Sequence, residues 1–275
     1  FWIADKSFAN YSSTVASLAS CLNLDPLQEL LPDLDGAEDS NSLLGLYHQN
    51  RVYAFLKSQG YEICAFSPGA ELLEPREIVD RVLRPAGALS EFESVLIDTS
   101  LIARGFELCD YWRHGSTFHS GDLVQRSRIL FTFDELCHLA AQKAERPRFI
   151  YAHILVPEPP FLFDRDGGWP RSATEGPRTD PTRYRVTLAE YRQAYSDQLH
   201  HTNAMLAKAV DGILQRSATP PAILVVSGRG PRLRIESEPP GDDHTREQLA
   251  NLIMVRLPDG DASTPLLPED NASLV

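Results

Sequence analysis

The sequence predicts an α/β layer structure with a largely parallel sheet. Segments with helical periodicity are repeatedly followed by short apolar, β-branched runs, which is the pattern of helices alternating with strands. The longest helical pattern, residues 187–217, leads into the apolar run 223–226. No internal repeat is present at any period, so a solenoid or propeller is not indicated.

The first half of the chain contains four predicted elements. A helix begins at or near Thr14, after serines that can cap it. Residues 42–61 carry apolar side chains near helical spacing, with Gly60 as a stop signal. Short strands are predicted at residues 61–66 and 94–98.

The second half alternates helices and strands more regularly. Thr132, with Glu135 three residues later, has the pattern of a capping box at the start of a helix. Residues 150–156 form a strongly strand-like run, and the strand at 223–226 follows the long helix. Residues 247–258 are predicted as a further helix or strand.

Two stretches rich in glycine, proline and polar residues follow predicted strands. They span residues 166–185 and 231–245. Long loops at the carboxyl ends of strands are often binding loops or lids, although surface insertions are an equally open interpretation.

Composition limits the classes of function. With 275 residues, 43% hydrophobic and 23% charged, the chain can bury one large core or split into two small domains. We expect a single domain over residues 1–275, because the motifs described below are spread from Thr14 to Arg229. A net charge of −12 without a cluster of lysine and arginine argues against a nucleic-acid partner. No apolar run reaches the ~18 residues that span a bilayer, and no signal peptide is visible. We expect the chain to be part of a longer protein, with any membrane tether outside it.

The four cysteines do not predict a metal site. Cys21, Cys64, Cys109 and Cys137 are widely spaced and form no CxxC pair, so zinc is not expected. The apolar surroundings of Cys21 and Cys64 indicate buried free thiols.

The strand at 223–226 runs directly into Ser227-Gly228-Arg229-Gly230-Pro231. In open parallel sheets, ligands bind beyond the carboxyl ends of strands. The two glycines could adopt positive φ and orient backbone N–H groups toward an anion. The Arg229 guanidinium suits phosphate, sulfate or carboxylate. This segment is therefore a candidate anion site.

Three segments together carry a family resemblance. They are residues 4–23, 149–167 and 217–231. In this order and at these separations they resemble the sulfatase-like domain of bacterial membrane proteins in the alkaline phosphatase superfamily, a group that includes relatives of lipoteichoic acid synthase. The resemblance covers nearly the whole chain. It implies a three-layer, alkaline-phosphatase-like α/β sandwich with a mostly parallel central sheet.

The resemblance also implies a site whose metal ligands are lost. Thr14 takes the position of the nucleophile that opens a helix in the family. Active members read Ser-Asp-His-Gly-Pro in the third segment, so Gly228 and Arg229 replace two metal ligands. Their Pro-His-Pro-Pro-Phe becomes Pro-Glu-Pro-Pro-Phe, so Glu158 replaces a histidine that contacts the substrate group. A further acidic ligand of the family lies on a strand that would precede this chain. Family members use divalent metal, whereas no cofactor is expected here.

Two functions follow as alternatives. The first is a catalytically degenerate extracytoplasmic domain that binds, regulates or scaffolds, or is only a folded remnant. Its anion site would contain Ser227, Gly228, Arg229 and Glu158, and its partner would be an anionic glycan, a lipid headgroup or a protein. The second is a hydrolase or transferase acting on phosphate or sulfate esters by altered chemistry through Thr14 and Arg229. In the first reading we expect Glu158 and Arg229 to form an ion pair that fills the former metal site.

Three further candidate sites are better explained without a functional role. Residues 164–175 carry acids at calcium-loop positions one, three and twelve but lack the turn glycine. Asp242, Asp243 and His244 could in principle bind a metal, yet consecutive acids in a polar loop are usually solvated. His153 is expected to be a satisfied histidine within a core strand.

Overall fold

Helices alternate with short strands along the part of the chain that the structure describes. The computed structural model describes residues 1–32, 40–76, 78–100, 120–170, 187–231 and 242–258. The strands are β1 (Trp2–Ile3), β2 (Glu62–Phe66), β3 (Arg81–Leu83), β4 (Arg148–Tyr151), β5 (Ile223–Val226) and β6 (Ile253–Arg256). The helices are α1 (Thr14–Asn23), α2 (Leu27–Leu30), α3 (Ser40–His48), α4 (Arg51–Ser58), α5 (Glu91–Asp98), α6 (Ser120–Ala141), α7 (Leu188–Arg216) and α8 (Asp242–Leu249), with a 3₁₀ turn at Glu71–Leu73. The predicted α/β class is confirmed.

A parallel sheet contains the first predicted strand. β2 lies between β3 and β4, with Cys64 opposite Arg81 on one side and Ile150 on the other. Its last four residues are buried, as expected for a central strand with covered faces. β4 ends at Tyr151 rather than at residue 156. The Val156 N–H bonds to Ile154 O instead of a neighbouring strand, and prolines that lack N–H groups follow.

β5 lies in a different sheet from β2. Among the described residues it forms the edge of an antiparallel sheet with the order β1-β6-β5, in which Val226 pairs with Ile253. Leu224 is 57% exposed. We expected a mostly parallel central sheet that includes residues 61–66, 150–156 and 223–226, and for residues 223–226 this was wrong within the described part of the chain. A short apolar run has the same sequence pattern on an edge strand as in a sheet centre.

Local hydrogen bonds correct two predicted elements. Residues 94–98 belong to α5 and not to a strand, because Ser90 and Glu93 form the reciprocal bonds of a capping box at its start. The capping box predicted at Thr132 was wrong. Thr132 is buried inside α6, and its hydroxyl donates to Arg128 O one turn earlier.

Two helical predictions needed smaller changes. Residues 42–61 form two helices, because the Asn50 side chain accepts from Tyr53 N and donates to Tyr47 O, which caps α4 and ends α3. Residues 247–258 contain both alternatives, the end of α8 and strand β6. The long helix α7 starts as predicted, with Thr187 and Glu190 in a capping box.

A buried cluster joins the two longest helices to the segment that follows β4. Ile129 and Phe133 of α6 and Ala209 of α7 pack with Leu162 and Phe163. This packing fixes the chain just beyond Glu158 and so bears on the candidate site.

Two sequence expectations concern membranes and thiols. None of the helices in the described ranges has the length and apolar character needed to cross a membrane. Cys64 is a buried free thiol as expected, whereas Cys21 is only half-buried, and burial raises the pKa of both. Cys109 lies outside the described residues.

Candidate functional site

Thr14 is the first residue of α1. Ser13, with extended backbone, is the N-cap, and its side chain accepts from Ala16 N at 3.5 Å. Thr14 is therefore at the first helical position, where backbone N–H groups have no intrahelical partner and the helix dipole is positive. The predicted opening of a helix at Thr14 is confirmed.

The Ser227–Pro231 segment is held by the chain that links α8 to β6. Ser227 N donates to Leu252 O at 2.9 Å, and Leu252 N donates back to the Ser227 hydroxyl at 2.8 Å. Gly230 N donates to Gln248 O at 2.8 Å. These backbone bonds fix both ends of the turn that carries Arg229.

The two glycines of this turn have different roles from those expected. Neither Gly228 nor Gly230 has a positive φ, so the predicted nest of positive-φ glycines was wrong. A Cβ on Gly230 would lie 2.0 Å from Glu247 O, so glycine is required there for close packing against α8. Counting only the described residues, a Cβ on Gly228 would meet nothing within 4 Å, so their packing does not require glycine there.

Arg229 lies at the centre of the site. Its Nη2 donates to Glu158 Oε2 at 2.5 Å, its Nε to the Thr14 hydroxyl at 3.3 Å, and its Nη1 to Gly230 O at 3.2 Å. The Arg229 side chain is only 7% exposed, whereas that of Glu158 is 39% exposed. The predicted Glu158–Arg229 ion pair is confirmed. The guanidinium joins side chains that are far apart in sequence.

Two residues of α7, which the sequence analysis missed, complete the surroundings. Gln198 is fully buried and bonds to the backbone on both sides of Glu158. The pKa of Tyr195 is raised to about 12, mainly by burial and then by the negative charges of Glu158 and Glu247, while Arg229 opposes the shift. The available signal was the spacing of Tyr191, Tyr195 and Gln198, which places these residues on one face of a helix.

The residues at this site do not fit a divalent metal. Among the described residues no group of three His, Cys, Asp or Glu side chains could hold a metal ion. Arg229 has no acceptor atom and carries a fixed positive charge, and its Nε donates to the Thr14 oxygen that a metal would need. A cation beside Thr14 would therefore face repulsion from the guanidinium.

The weaker candidates lie elsewhere. The Asp164 carboxylate closes its own turn by accepting from Asp166 N and Gly168 N, and residues 171–175 of that candidate lie outside the described part. Asp242 and its two neighbours begin α8 instead of lying in a loop. His153 follows β4, and its Nε2 is buried with no hydrogen-bond partner among the described residues, so within this part of the chain it is not the satisfied histidine that was expected.

The sequence matches no protein-family model and no curated protein. One similar solved structure is the C-terminal periplasmic domain of EcEptC from Escherichia coli in complex with zinc, at TM-score 0.55 and 10% identity, covering 94% of this chain and 62% of that chain. Another is the soluble domain of lipooligosaccharide phosphoethanolamine transferase A from Neisseria meningitidis, at TM-score 0.48 and 12% identity, covering 92% of this chain and 65% of that chain. The chain thus spans less than two thirds of either structure. The first similarity establishes the fold alone: the chain shares the α/β architecture of the EcEptC periplasmic domain.

Proposed function

We propose that this chain is a catalytically degenerate, sulfatase-like domain that binds a phosphate or sulfate group at Arg229. The observation that carries the proposal is the position of the guanidinium, which is nearly buried and contacts both the Thr14 hydroxyl and the Glu158 carboxylate. The resemblance places a nucleophile at Thr14 and metal ligands at Gly228 and Arg229. A glycine and an arginine at those positions favour anion binding over metal-dependent transfer.

Charge and geometry support an anion site that Glu158 closes. The positive end of the α1 dipole favours a negative group near Thr14. The guanidinium presents several donors to a tetrahedral anion. The Glu158 carboxylate already accepts from Arg229 Nη2, so an anion that binds the same donor must displace this carboxylate. The intact domain should therefore bind simple anions weakly.

The setting of the domain is part of the same proposal. The similar EcEptC domain is periplasmic, which supports an extracytoplasmic position for this chain. A membrane tether would then lie outside the chain. The partner carries a phosphate or sulfate ester, whether on a glycan, a lipid headgroup or a protein.

Titration with inorganic phosphate tests the proposed function. Glu158→Gln removes the competing charge and should raise phosphate affinity about tenfold, the effect of one charge-assisted hydrogen bond. Arg229→Ala should abolish binding in either background. Asp25→Asn is the matched control, because Asp25 also pairs with an arginine, Arg51, but on the surface. Tight phosphate binding by the unmodified domain, or equal affinities for the Glu158→Gln and unmodified domains, would contradict the proposal.

Altered chemistry is the second candidate, and the contact between Arg229 Nε and the Thr14 hydroxyl favours it. In this case the guanidinium would supply the positive charge near the reacting group, and Thr14 would lose its proton to a base. Glu158 is the carboxylate that the site offers. Turnover of aryl phosphate or sulfate esters that Thr14→Ala abolishes would establish this function in place of the first.

A further inference from the structure

The loop that carries Glu158 cannot satisfy its own backbone. Pro157, Pro159 and Pro160 flank Glu158 and have no N–H groups, so the loop has an excess of carbonyl acceptors. Buried carbonyls need donors from elsewhere in the protein. The side chain of Gln198, one of the fully buried polar groups of the molecule, provides them.

The Gln198 amide bonds to the loop on both sides of Glu158. Its Nε2 donates to Pro157 O and Glu158 O, both at 3.0 Å, and to Pro160 O at 3.5 Å. Its Oε1 accepts from Leu162 N at 2.6 Å and from Phe163 N at 3.2 Å. These contacts require a side chain that carries both a hydrogen-bond donor and an acceptor at its end. An amide has both, whereas a carboxylate has no donor and a thioether has no donor.

From these contacts we propose that Gln198 is a positioning residue that holds Glu158 against Arg229 and so sets the anion affinity of the site. The inference rests on the proposed function and names the regulation of that same site. The Gln198 bond to Glu158 O fixes the backbone from which the carboxylate reaches Arg229 Nη2 at 2.5 Å. When the amide is lost, the loop shifts, Glu158 moves away from Arg229, and the guanidinium donors become accessible to external anions.

Other contacts keep the rest of the loop in place. Phe161 packs edge-to-face on Tyr191 of α7 at 5.2 Å between ring centroids, and Phe163 stacks on His201 at 5.0 Å. Loss of the Gln198 amide should therefore loosen the segment around Glu158 without unfolding the domain.

The test compares phosphate affinities of four variants of the chain. Gln198→Met removes the hydrogen bonds without adding charge, and it should raise phosphate affinity about tenfold, as Glu158→Gln does. The double variant should bind no more tightly than Glu158→Gln alone, because both changes remove the same competitor. Gln193→Met is the control, since Gln193 lies exposed on the same helix and its hydrogen-bond partner within the described part of the chain is Asp197, four residues on. A structural defect alone would not produce a gain in affinity that disappears in the Glu158→Gln background.

The outcomes separate this inference from the proposed function. If Glu158→Gln fails to raise phosphate affinity, the proposed function fails. If Glu158→Gln raises it but folded Gln198→Met does not, or if the two effects add, the role of Gln198 is overturned. If Gln198→Met does not fold, it is replaced by Gln198→Asn, which keeps the amide but has a shorter side chain.

If neither variant folds, NMR spectra of the unmodified domain test the proposal. The side-chain amide signals of Gln198 should shift together with the Arg229 Nε–H signal as phosphate is added. Unchanged amide signals would refute the proposal.

Discussion

Arg229 determines what this site can do, because its charge is fixed and its guanidinium donates to both Thr14 and Glu158. The guanidinium cannot lose its proton, so the positive charge beside Thr14 persists at every working pH. Pairing with Glu158 offsets the cost of keeping that charge at 7% exposure. Glu158 thus already pairs with the guanidinium, and under the proposed function the affinity for an external anion would depend on how easily Glu158 moves.

His153 makes the stability of the domain depend on pH. Burial lowers its pKa to about 4, against about 6.5 in an unfolded chain. Between these values the unfolded state binds the proton and the folded state does not, so the free energy of unfolding falls as the pH drops from about 6.5 toward 4. His153→Gln should reduce the dependence of the unfolding free energy on pH by the equivalent of up to one bound proton. Urea unfolding at several pH values between about 4 and 6.5 measures this dependence.

The control for His153 is an exposed histidine. His200 is exposed on α7, so His200→Gln serves as the comparison for removing a histidine that is not buried. Equal slopes for the His153→Gln and unmodified domains would show that carboxylates, and not this imidazole, account for the acid sensitivity.

At the scale of elements, the close approach of the Ser227–Pro231 turn to α8 predicts a sharp difference between two glycines. Gly230→Ala would place a Cβ 2.0 Å from a backbone oxygen, which cannot move without shifting the helix end. It should lower the free energy of unfolding by about 2 kcal/mol. Gly228→Ala would meet none of the described residues within 4 Å and has no positive φ, so its effect should stay within about 0.5 kcal/mol.

Denaturant midpoints of these two variants measure the difference. If Gly230→Ala were as stable as Gly228→Ala, the turn would not be packed against α8. The phosphate affinity of Gly230→Ala should also change, because Arg229 is the neighbouring residue.

Some local signals in the sequence predicted elements correctly. The helical periodicity of residues 187–217 predicted α7, and the stop signal at Gly60 coincides with a positive φ of 81°. Thr132 shows the limit of such signals, since its capping-box pattern occurs inside a helix whose start lies elsewhere. Sheet membership of β5 was not predictable, because strand pairing depends on contacts distant in sequence.

The candidate site was predictable only in part, because motifs are visible in the sequence whereas contacts between distant segments are not. Thr14, Glu158 and Arg229 were recognisable as positions within motifs, and opposite charges at the same pocket implied the ion pair. Gln198 belongs to no motif. Its role depends on the three-dimensional approach of α7 to a proline-rich loop, which sequence periodicity places on a helix face but does not pair with any partner.

For the whole molecule, the site connects regions that lie far apart along the chain. Thr14 opens α1, Glu158 follows the parallel sheet, and Arg229 follows the antiparallel one. α7 adds a second link, since it contacts the Glu158 loop and leads into β5. Parts joined in this way should unfold together as one domain.

Differential scanning calorimetry of the intact chain tests this expectation. We expect a single transition whose calorimetric and van't Hoff enthalpies agree, because separation of the two sheets would break the Arg229 contacts and expose their nearly buried guanidinium. Arg229→Ala should lower the transition temperature while keeping one transition, since α7 still connects the two halves. Two resolved transitions in the unmodified chain would mean that the sheets belong to separate domains, and the ion pair would then be a contact between them.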